Sequence, residues 1–355
     1  MKSAGVRVAR TSTVGSAVAT IRYGLHRARS TSLNLIKVLR ANPLTLIGFI
    51  VVLFISVTAF LVVVVPPVSQ ALLGRAISIA PYDPNALLPC PVVGNSTVCA
   101  QPPSAEHFFG TDRSGRDVFS RVLVALPLDL AIGFSVAGFS LLFGGGLGLI
   151  GGFWDKPWTI GGVVSLTIMR ITDVFLAFPS LVLALAIAAT LGRGTIPCVL
   201  AILLTWWPYY VRLTRGEVLA VKHQPYVVAS RSAGVSEGRI LFRHVLRNIL
   251  EPLVVYFTMD VGTVLVVFST ISFIGIGVPP EVPEWGNMVS AYGDYLLLFP
   301  WMVVFPGLAI FVTVLAFSLL GDGLRDILDP RSRRALTQAA IPATSVASSA
   351  VRSEA

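Results

Sequence analysis

Few residues of this chain could carry chemistry, and they do not form the patterns that nucleotide hydrolysis or metal catalysis requires. The sequence contains no Gly-Lys pair, which excludes a phosphate-binding loop of the Gly-x-x-x-x-Gly-Lys-Ser/Thr type. Its four histidines form no His-Glu-x-x-His motif, and its three cysteines have no zinc or haem spacing. We therefore expect no catalytic residue and no metal ligand in this chain.

The long apolar runs contain few ionisable side chains, namely Asp129, Arg170, Asp173 and Asp260, besides Arg212 at the start of the basic segment 212–251. A helix would bring Arg170 and Asp173 together as an i, i+3 ion pair, for which we favour a structural role. Asp260 has two open interpretations: it lines a translocation cavity and meets a substrate amine, or it pairs with another subunit or with water. Proton pumps and voltage sensors usually contain more intramembrane charge. The chain therefore has the character of a passive conduit that needs an external source of energy.

A polar segment, residues 216–251, separates two apolar runs and predicts an elbow between two helices. Gly234 lies where the two helical pieces meet, and glycine readily adopts the positive φ of a sharp turn. Ser236 then offers a side-chain cap for the second piece. An elbow of this kind beneath a membrane protein can be moved by a soluble partner.

The composition predicts an all-α membrane protein with six transmembrane helices. Hydrophobic residues make up 54% of the chain and charged residues only 13%, whereas a soluble domain contains about 25% charged residues. Six apolar runs are long enough to cross a hydrocarbon core of about 30 Å, and each should be helical because a helix satisfies its own backbone in lipid. The runs cover residues 44–65, 128–151, 160–190, 196–214, 252–275 and 300–320.

The distribution of basic residues predicts that both termini are cytoplasmic. Residues 1–43 contain eight Lys or Arg residues and no acid, and residues 212–251 contain seven, whereas residues 277–299 contain none. Cytoplasmic flanks of membrane helices carry such an excess of Lys and Arg. Because the charge follows the membrane topology, the net charge of +9 does not indicate nucleic-acid binding.

The remaining segments complete the predicted organisation. Residues 66–127 form an extracytoplasmic loop with an insertion, in which Cys90 and Cys99 flank a glycosylation sequon at Asn95. A disulfide between the two cysteines and a pair of free thiols are both open. Residues 331–355 are rich in Ala, Ser and Thr and predict a disordered tail.

Four ordered blocks of the sequence resemble the C-type permease subunits of the dipeptide/oligopeptide/nickel family of ABC importers. The block in the elbow is similar to the EAA loop of such permeases, and the first block begins Gly-Thr-Asp-Arg-Ser-Gly-Arg-Asp. The blocks are residues 110–121, 226–234, 272–277 with 285–288, and 320–330. The resemblance extends over residues 40–334 except for the cysteine insertion. It implies a MetI-like type I importer fold whose permease core is residues 128–330.

The resemblance also implies a function and partners. The chain would form the translocation pathway for peptides or similar solutes with a homologous B-type permease subunit, in the plasma or inner membrane and in contact with membrane lipids. Two ABC ATPase subunits would bind ATP and Mg, an extracellular solute-binding protein would deliver the solute, and this chain would hold no cofactor. The same family imports oligosaccharides and nickel complexes. An ATP-independent secondary transporter is the alternative from another class, and it predicts inverted repeats and broken helices.

Coupling to the ATPase would take place in the elbow, at Tyr226, Val228, Ala229, Ser230, Ala233, Gly234 and Ser236. Val228 stands where the family has Glu, which removes a charge-assisted contact of about 1–3 kcal/mol. Either the ATPase lacks the matching Arg or the shape of the elbow carries the docking. Phe268 stands where a Glu is common in the fifth span. Together with Asp260, it is a candidate for lining the pathway.

Overall fold

The computed structural model describes residues 42–93 and 96–328, and these residues fold into a bundle of helices. The predicted all-helical class is confirmed, except for a short antiparallel hairpin of β1 (Val92–Val93) and β2 (Ser96–Thr97). The basic N-terminal segment up to residue 41, the sequon residue Asn95 and the C-terminal tail lie outside the described residues.

The helices are, in chain order, α1 (Pro43–Leu73), α2 (Val118–Phe153), α3 (Ile160–Leu176), α4 (Ser180–Leu191), α5 (Thr195–Lys222), α6 (Pro225–Ser232), α7 (Glu237–Phe273), α8 (Trp285–Tyr292) and α9 (Trp301–Leu328). Helix α7 contains a π-helical turn at Ile240–Val245. Among the described residues, five helices, α1, α2, α5, α7 and α9, are long and apolar enough to cross a membrane, and the bent pair of α3 and α4 makes a sixth span only if it is counted as one. We call the end of the bundle at α6 the elbow end and the opposite end, at residues 74–117, the loop end.

The third predicted span is not one straight helix, because α3 and α4 are bent by 83° relative to each other. Pro179 explains the break, since proline lacks an N–H and disfavours a helical conformation at the residue before it. The pair still connects both ends of the bundle. At the elbow end, Ser165 Oγ donates to the carbonyl of Gly151 at 2.6 Å, and at the loop end Gly194 N donates to the carbonyl of Ile276 at 3.4 Å.

The other spans are longer than the apolar runs predict. Helix α1 continues to Leu73 instead of 65, and α2 begins at Val118 instead of 128, where the Asp117 carboxylate accepts a hydrogen bond from Ser120 N at 2.8 Å. Helix α5 continues to Lys222, and α7 begins at Glu237, so much of the polar segment is helical. Hydropathy locates only the part of a helix in hydrocarbon, while backbone hydrogen bonds continue beyond it.

Helices α2 and α5 pack closely because glycines spaced by four residues line one face of α2. A Cβ atom added at Gly144 would lie 2.3 Å from the carbonyl oxygen of Trp207, and one at Gly148 would lie 2.5 Å from that of Val211. Small residues of this spacing let membrane helices approach each other backbone to backbone. The glycine-rich run is therefore a packing surface, as its composition predicts.

Helix α1 lies on the outside of α9. Thr45 is buried against Gly323, where a Cβ atom would clash with the Thr45 side chain, and Gly48 lies against Leu319. The opposite face of α1 exposes large apolar side chains such as Phe54 and Phe60. An exposed apolar face on a helix of this length is suited to contact with lipid.

We predict that Gly148→Val separates α2 from α5 and destabilises the protein by at least about 2 kcal/mol. The matched control is Gly146→Val, because a Cβ atom at Gly146 meets nothing within 4 Å. Thermal unfolding midpoints of the two purified variants test this. Equal midpoints would show that the close approach of α2 and α5 is not required.

Candidate functional site

The elbow, residues 224–239, is attached to the bundle by one buried side chain. Helix α6 begins after Gln224, with Pro225 at its first position, where proline is well tolerated. Val227 is fully buried in an apolar cluster at the elbow end. The other buried members of this cluster are Phe153, Val218, Ile240, Leu241, Val245, Ile249 and Leu253. The elbow is therefore packed on α2, α5 and α7.

The turn after α6 has the positive-φ glycine that the sequence predicts, with φ of 76° at Gly234. Val235 N donates to the carbonyl of Ser230 at 3.2 Å, and Gly234 N donates to the carbonyl of Arg231 at 3.0 Å. This pair of hydrogen bonds is the Schellman motif that ends many helices. Val235 also packs against the apolar cluster, so the turn is held in place from both sides.

An ion pair closes the elbow across the glycine. Arg231 Nε and one of its terminal nitrogens donate to the two carboxylate oxygens of Glu237 at 2.9 and 3.0 Å. Ser236 occupies the N-cap position, but its side chain makes no capping hydrogen bond, so the predicted side-chain cap is wrong. Its carbonyl instead accepts from Ile240 N at 3.0 Å.

Residues 234–238 read Gly-Val-Ser-Glu-Gly, which matches the Gly-x-Ser-x-Gly pattern of hydrolase nucleophile elbows. In those enzymes the turn joins a strand to a helix, whereas here it joins two helices. Because the structural context differs, the match does not indicate a catalytic serine.

The residues predicted to couple this chain to a partner lie together on the outside of the elbow. We call them the elbow surface. Val228 is 49% exposed and Tyr226 is 43% exposed, whereas Ser230 is half-buried and its hydroxyl donates to the carbonyl of Tyr226 at 2.8 Å. The other exposed members are Ala229, Ala233, Gly234 and Ser236. The surface is small, nearly uncharged and accessible.

Asp260 lies inside the chain, in the middle of α7. Its Oδ2 accepts hydrogen bonds from Trp206 Nε1 and from the Tyr210 hydroxyl, both at 2.9 Å and both from α5. Phe268, two turns further along α7, is fully buried. The structure therefore places neither Asp260 nor Phe268 on an open surface, and it satisfies Asp260 with donors from its own chain.

The expected pairing of Arg170 with Asp173 is wrong. Asp173 Oδ1 accepts a hydrogen bond from a terminal nitrogen of Arg212 at 2.9 Å, which joins α3 to α5. Arg170 is exposed on α3. One turn nearer the elbow, Arg215 forms a second ion pair with Asp155 at 2.8 Å.

At the loop end, the first family-like block forms a compact turn around Asp112, which is fully buried. Asp112 Oδ2 accepts from Arg116 Nε at 2.7 Å and from the Tyr292 hydroxyl at 2.5 Å. Burial, together with the nearby negative charge of Asp112, raises the pKa of Tyr292 to about 12. The block is thereby joined to the end of α8.

The buried guanidinium of Arg121 connects three segments at this end. One terminal nitrogen donates to the carbonyl of Pro84 and to Oδ1 of Asn85, both at 3.0 Å, and the other donates to the carbonyl of Pro280 at 3.4 Å. The start of α2 is therefore fixed to both long loops by a single side chain.

Cys90 and Cys99 form a disulfide in the structure. The insertion is hydrogen-bonded to the first family-like block on both sides of this bond. Leu88 N donates to the carbonyl of Gly115 at 3.0 Å, and the Thr111 hydroxyl donates to the carbonyl of Cys99 at 2.6 Å. We call this assembly, residues 88–117, the loop clasp.

Two buried carboxyl groups meet at the start of α8. Glu284 caps the helix by accepting from Gly286 N at 2.8 Å and from Asn287 N at 2.6 Å. Asp129 of α2 accepts from Trp285 N at 3.4 Å. Burial raises the pKa of Glu284 to about 7.

Sequence reasoning missed Glu284, Tyr292 and Arg212. Glutamate is not among the residues that usually cap a helix N-terminus, so no local signal marks Glu284 as the cap of α8. No local pattern predicts that Tyr292 reaches Asp112 or that Arg212 reaches Asp173, because these contacts join distant segments. Within the part of the chain that the structure describes, no group of three or more His, Cys, Asp or Glu residues could hold a metal ion.

Comparison with known proteins identifies the family. Residues 144–334 match the binding-protein-dependent transport system inner membrane component family, and relatives at 36–40% identity are permease proteins of transport systems. The chain belongs to this family. The resemblance carried by the four sequence blocks is confirmed, and the protein is a multi-pass permease component of an ABC importer in the plasma membrane.

Three relatives illustrate the match. The dipeptide transport system permease protein DppC of Alkalihalophilus pseudofirmus is 36% identical over 297 residues, which are 84% of this chain and 89% of that protein. The probable D,D-dipeptide transport system permease protein DdpC of Escherichia coli K12 is 37% identical over 86% of this chain and 94% of its own. The glutathione transport system permease protein GsiD of Escherichia coli O157:H7 is 40% identical over 71% of this chain and 80% of that protein.

Two solved structures of the MetNI methionine ABC transporter, both in inward-facing conformations, also align with the permease. Their TM-scores are 0.47 and 0.48, at 19% and 17% sequence identity. The alignments cover 57% and 59% of this chain and 93% and 97% of those chains.

Glu284 predicts a pH dependence of stability. A glutamate in the unfolded chain loses its proton near its ordinary pKa of 4.5, whereas the folded chain keeps it up to about 7. The folded state therefore binds more protons in this window, and its stability falls as pH rises from about 4.5 to about 7. Glu284→Gln should remove this component of the pH dependence between about 4.5 and 7. Because an amide offers one acceptor oxygen where the carboxylate uses two, the test compares the pH dependence and not the absolute midpoint.

Thermal unfolding of both proteins across this pH range measures the effect. The matched control is Glu281→Gln, which changes an exposed glutamate of the same loop and should leave the pH dependence as it is. An unchanged pH dependence in Glu284→Gln would contradict the prediction.

Proposed function

We propose that this permease forms one half of the translocation pathway of an ABC importer for small peptides. The other half is a homologous B-type permease subunit, and two ABC ATPase subunits bind ATP and Mg on the cytoplasmic side. An extracellular solute-binding protein delivers the peptide. The named solutes of the relatives, dipeptides, D,D-dipeptides and glutathione, support the peptide class. The permease itself catalyses no reaction.

The observation that carries this proposal is the accessible elbow surface on a helix that is anchored in the bundle. Tyr226 and Val228 are exposed, while Val227 between them is fully buried. A short helix presented in this way fits the groove of a partner protein. The excess of basic residues in the elbow and the N-terminal segment supports a cytoplasmic location for the elbow and for both termini.

The packing suggests how motion of the elbow reaches the pathway. Helix α5 leads into the elbow and α7 leaves it, and both contribute to the cluster around Val227. Further into the bundle the same two helices are joined by the hydrogen bonds of Trp206 and Tyr210 to Asp260. A force on the elbow therefore acts on α5 and α7 as a pair.

Val228 indicates that docking depends on shape. The side chain is 49% exposed and carries no charge, so an ion pair of the kind implied by the family's Glu is absent at this position. Apolar area buried in the ATPase groove would supply the contact instead, at about 25 cal/mol per Å².

Purification of the complete complex tests the function. Two ATPase chains and a second permease should copurify with this chain, and ATP should drive uptake of L-alanyl-L-alanine into proteoliposomes supplied with the solute-binding protein. Uptake that an ion gradient drives without ATP would instead indicate a secondary transporter.

Substitution of Gly234 should uncouple the elbow. A β-branched residue is strongly disfavoured at φ of 76°, so Gly234→Val should distort the turn and reduce ATP-dependent uptake by at least about tenfold. Gly234→Asn should retain uptake, because Asn tolerates this conformation.

The matched control is Gly238→Ala, since Gly238 lies in open space and does not have positive φ. The amount of each variant in the membrane and its unfolding midpoint are measured in parallel. Full uptake by correctly inserted Gly234→Val would show that the elbow does not take part in coupling.

A further inference from the structure

Three charged side chains are exposed on helices that cross the membrane. The side chain of Asp173 on α3 is 45% exposed and that of its partner Arg212 on α5 is 59% exposed. Arg170 is exposed one helical turn from Asp173. Asp173 and Arg212 are too exposed to belong to the core of this chain, so something outside it must surround them.

The cluster lies in the membrane, towards its elbow side. Arg212 is two residues from the elbow-side end of the apolar run 196–214, and Arg170 and Asp173 lie within the run 160–190. Charged side chains within such runs almost always face the interior of a bundle or a water-filled cavity. We therefore place these side chains in contact with water or protein, not with lipid tails.

The exposed side of α3 is divided into two strips. Leu166, Arg170 and Asp173 lie on one flank of α3, from which Asp173 reaches Arg212 of α5, and we call this flank the α5-side strip. Ile160 and Ile171 lie on the opposite flank, the apolar strip, and both are exposed. Successive helical residues are about 100° apart, so Leu166 and Ile171 point in directions about 140° apart. Only the α5-side strip carries charge.

The break between α3 and α4 supports the same conclusion. Residues 177–179 are exposed, and the end of α3 leaves backbone carbonyls without helical partners. Non-helical backbone at membrane depth is tolerated only where protein covers it or where it lines a water-filled cavity. The break lies about one turn beyond Asp173.

The cluster has an excess of positive charge. Asp173 is paired with Arg212, whereas Arg170 forms no ion pair or side-chain hydrogen bond with any residue that the structure describes. A guanidinium group presents a planar set of donors that matches the two oxygens of a carboxylate. An accessible, unpaired Arg beside a second Arg is therefore suited to a carboxylate.

We propose that Arg170, Asp173 and Arg212 line a water-filled part of the translocation pathway and bind the carboxylate of the transported solute. This inference rests on the proposed function, because it assigns a contact within that pathway. Arg170 supplies the free guanidinium, and Asp173 holds Arg212 beside it. The apolar strip of α3 then faces lipid or the second permease.

Cysteine labelling tests the location without any knowledge of the solute. Cys198 is fully buried and is replaced by Ala to leave a background without free thiols, since Cys90 and Cys99 are joined. Leu166→Cys and Ile171→Cys are then compared in the complete complex in lipid nanodiscs. The two positions are similarly exposed, at 56% and 48%. Only Leu166→Cys should react with the membrane-impermeant anionic reagent MTSES.

Charge selectivity tests the binding role. The measured quantity is the rate at which Leu166→Cys reacts with anionic MTSES, divided by its rate with cationic MTSET, with both rates normalised to those of free cysteine. This ratio should fall at least about threefold when Arg170→Gln is added. Arg170→Lys, which retains the charge, should preserve the ratio.

Transport provides the second measurement. At saturating solute-binding protein, Arg170→Gln should reduce L-alanyl-L-alanine uptake about tenfold, while ATP hydrolysis stimulated by the binding protein changes less than about twofold. Arg170→Lys should restore part of the uptake. A purely structural role for Arg170 would affect uptake and hydrolysis together.

Several outcomes would overturn the inference. If Leu166→Cys is as unreactive as Ile171→Cys, the strip is covered by the second permease or by lipid. If Arg170→Gln leaves both the reagent ratio and uptake unchanged, the cluster does not attract carboxylates. These results leave the proposed function intact, whereas failure of the unsubstituted complex to import L-alanyl-L-alanine with ATP counts against the proposed function itself.

Discussion

In the proposed mechanism, the burial of Val227 is the contact on which this permease depends. Without it, α6 would be a short helix on a flexible segment, because eight residues are too few for a stable isolated helix in water. The side chain packs among residues from α2, α5 and α7, so displacement of α6 displaces the ends of three membrane helices. Apolar packing of this density transmits strain because the interior has little room to absorb it.

The two ends of the bundle are stabilised in different ways. The elbow end relies on apolar packing around Val227, with a partly exposed ion pair between Arg231 and Glu237 that adds little stability. The loop end relies on buried polar groups, among them Asp112 and Arg121, whose hydrogen bonds join three segments of the chain. Unpaired polar groups would be costly there. The loop end is therefore held together by directional hydrogen bonds and the elbow end by apolar packing.

The positions of the five long apolar helices and of the elbow could be predicted from the sequence because both arise from local properties. Apolar length determines which segments enter the membrane, and the special conformational freedom of glycine determines where the elbow turns. Pro179 is also a local signal for the break between α3 and α4. It lies within a continuous apolar run, and hydropathy alone predicts one span there because it carries no information on backbone conformation.

Contacts between helices could not be predicted in this way. The partner of Asp173 is Arg212, 39 positions away along the chain, and the nearer Arg170 is the one that sequence spacing favours. Asp260 and Phe268 are pathway candidates by residue type and position, but the sequence does not predict that both are buried within this chain, because packing against α5 decides which side of α7 faces the core. Hydrophobic periodicity is weak in a helix that is apolar all round, so the sequence alone leaves that orientation open.

The disulfide of the loop clasp has a consequence for biogenesis. Cytosolic thiols are kept reduced, so with the proposed orientation Cys90 and Cys99 are joined only after their loop has been exported. The hydrogen bonds from Leu88 and Thr111 then connect the oxidised insertion to the start of α2. With that orientation, completion of the loop clasp needs an oxidising compartment as well as insertion into the membrane.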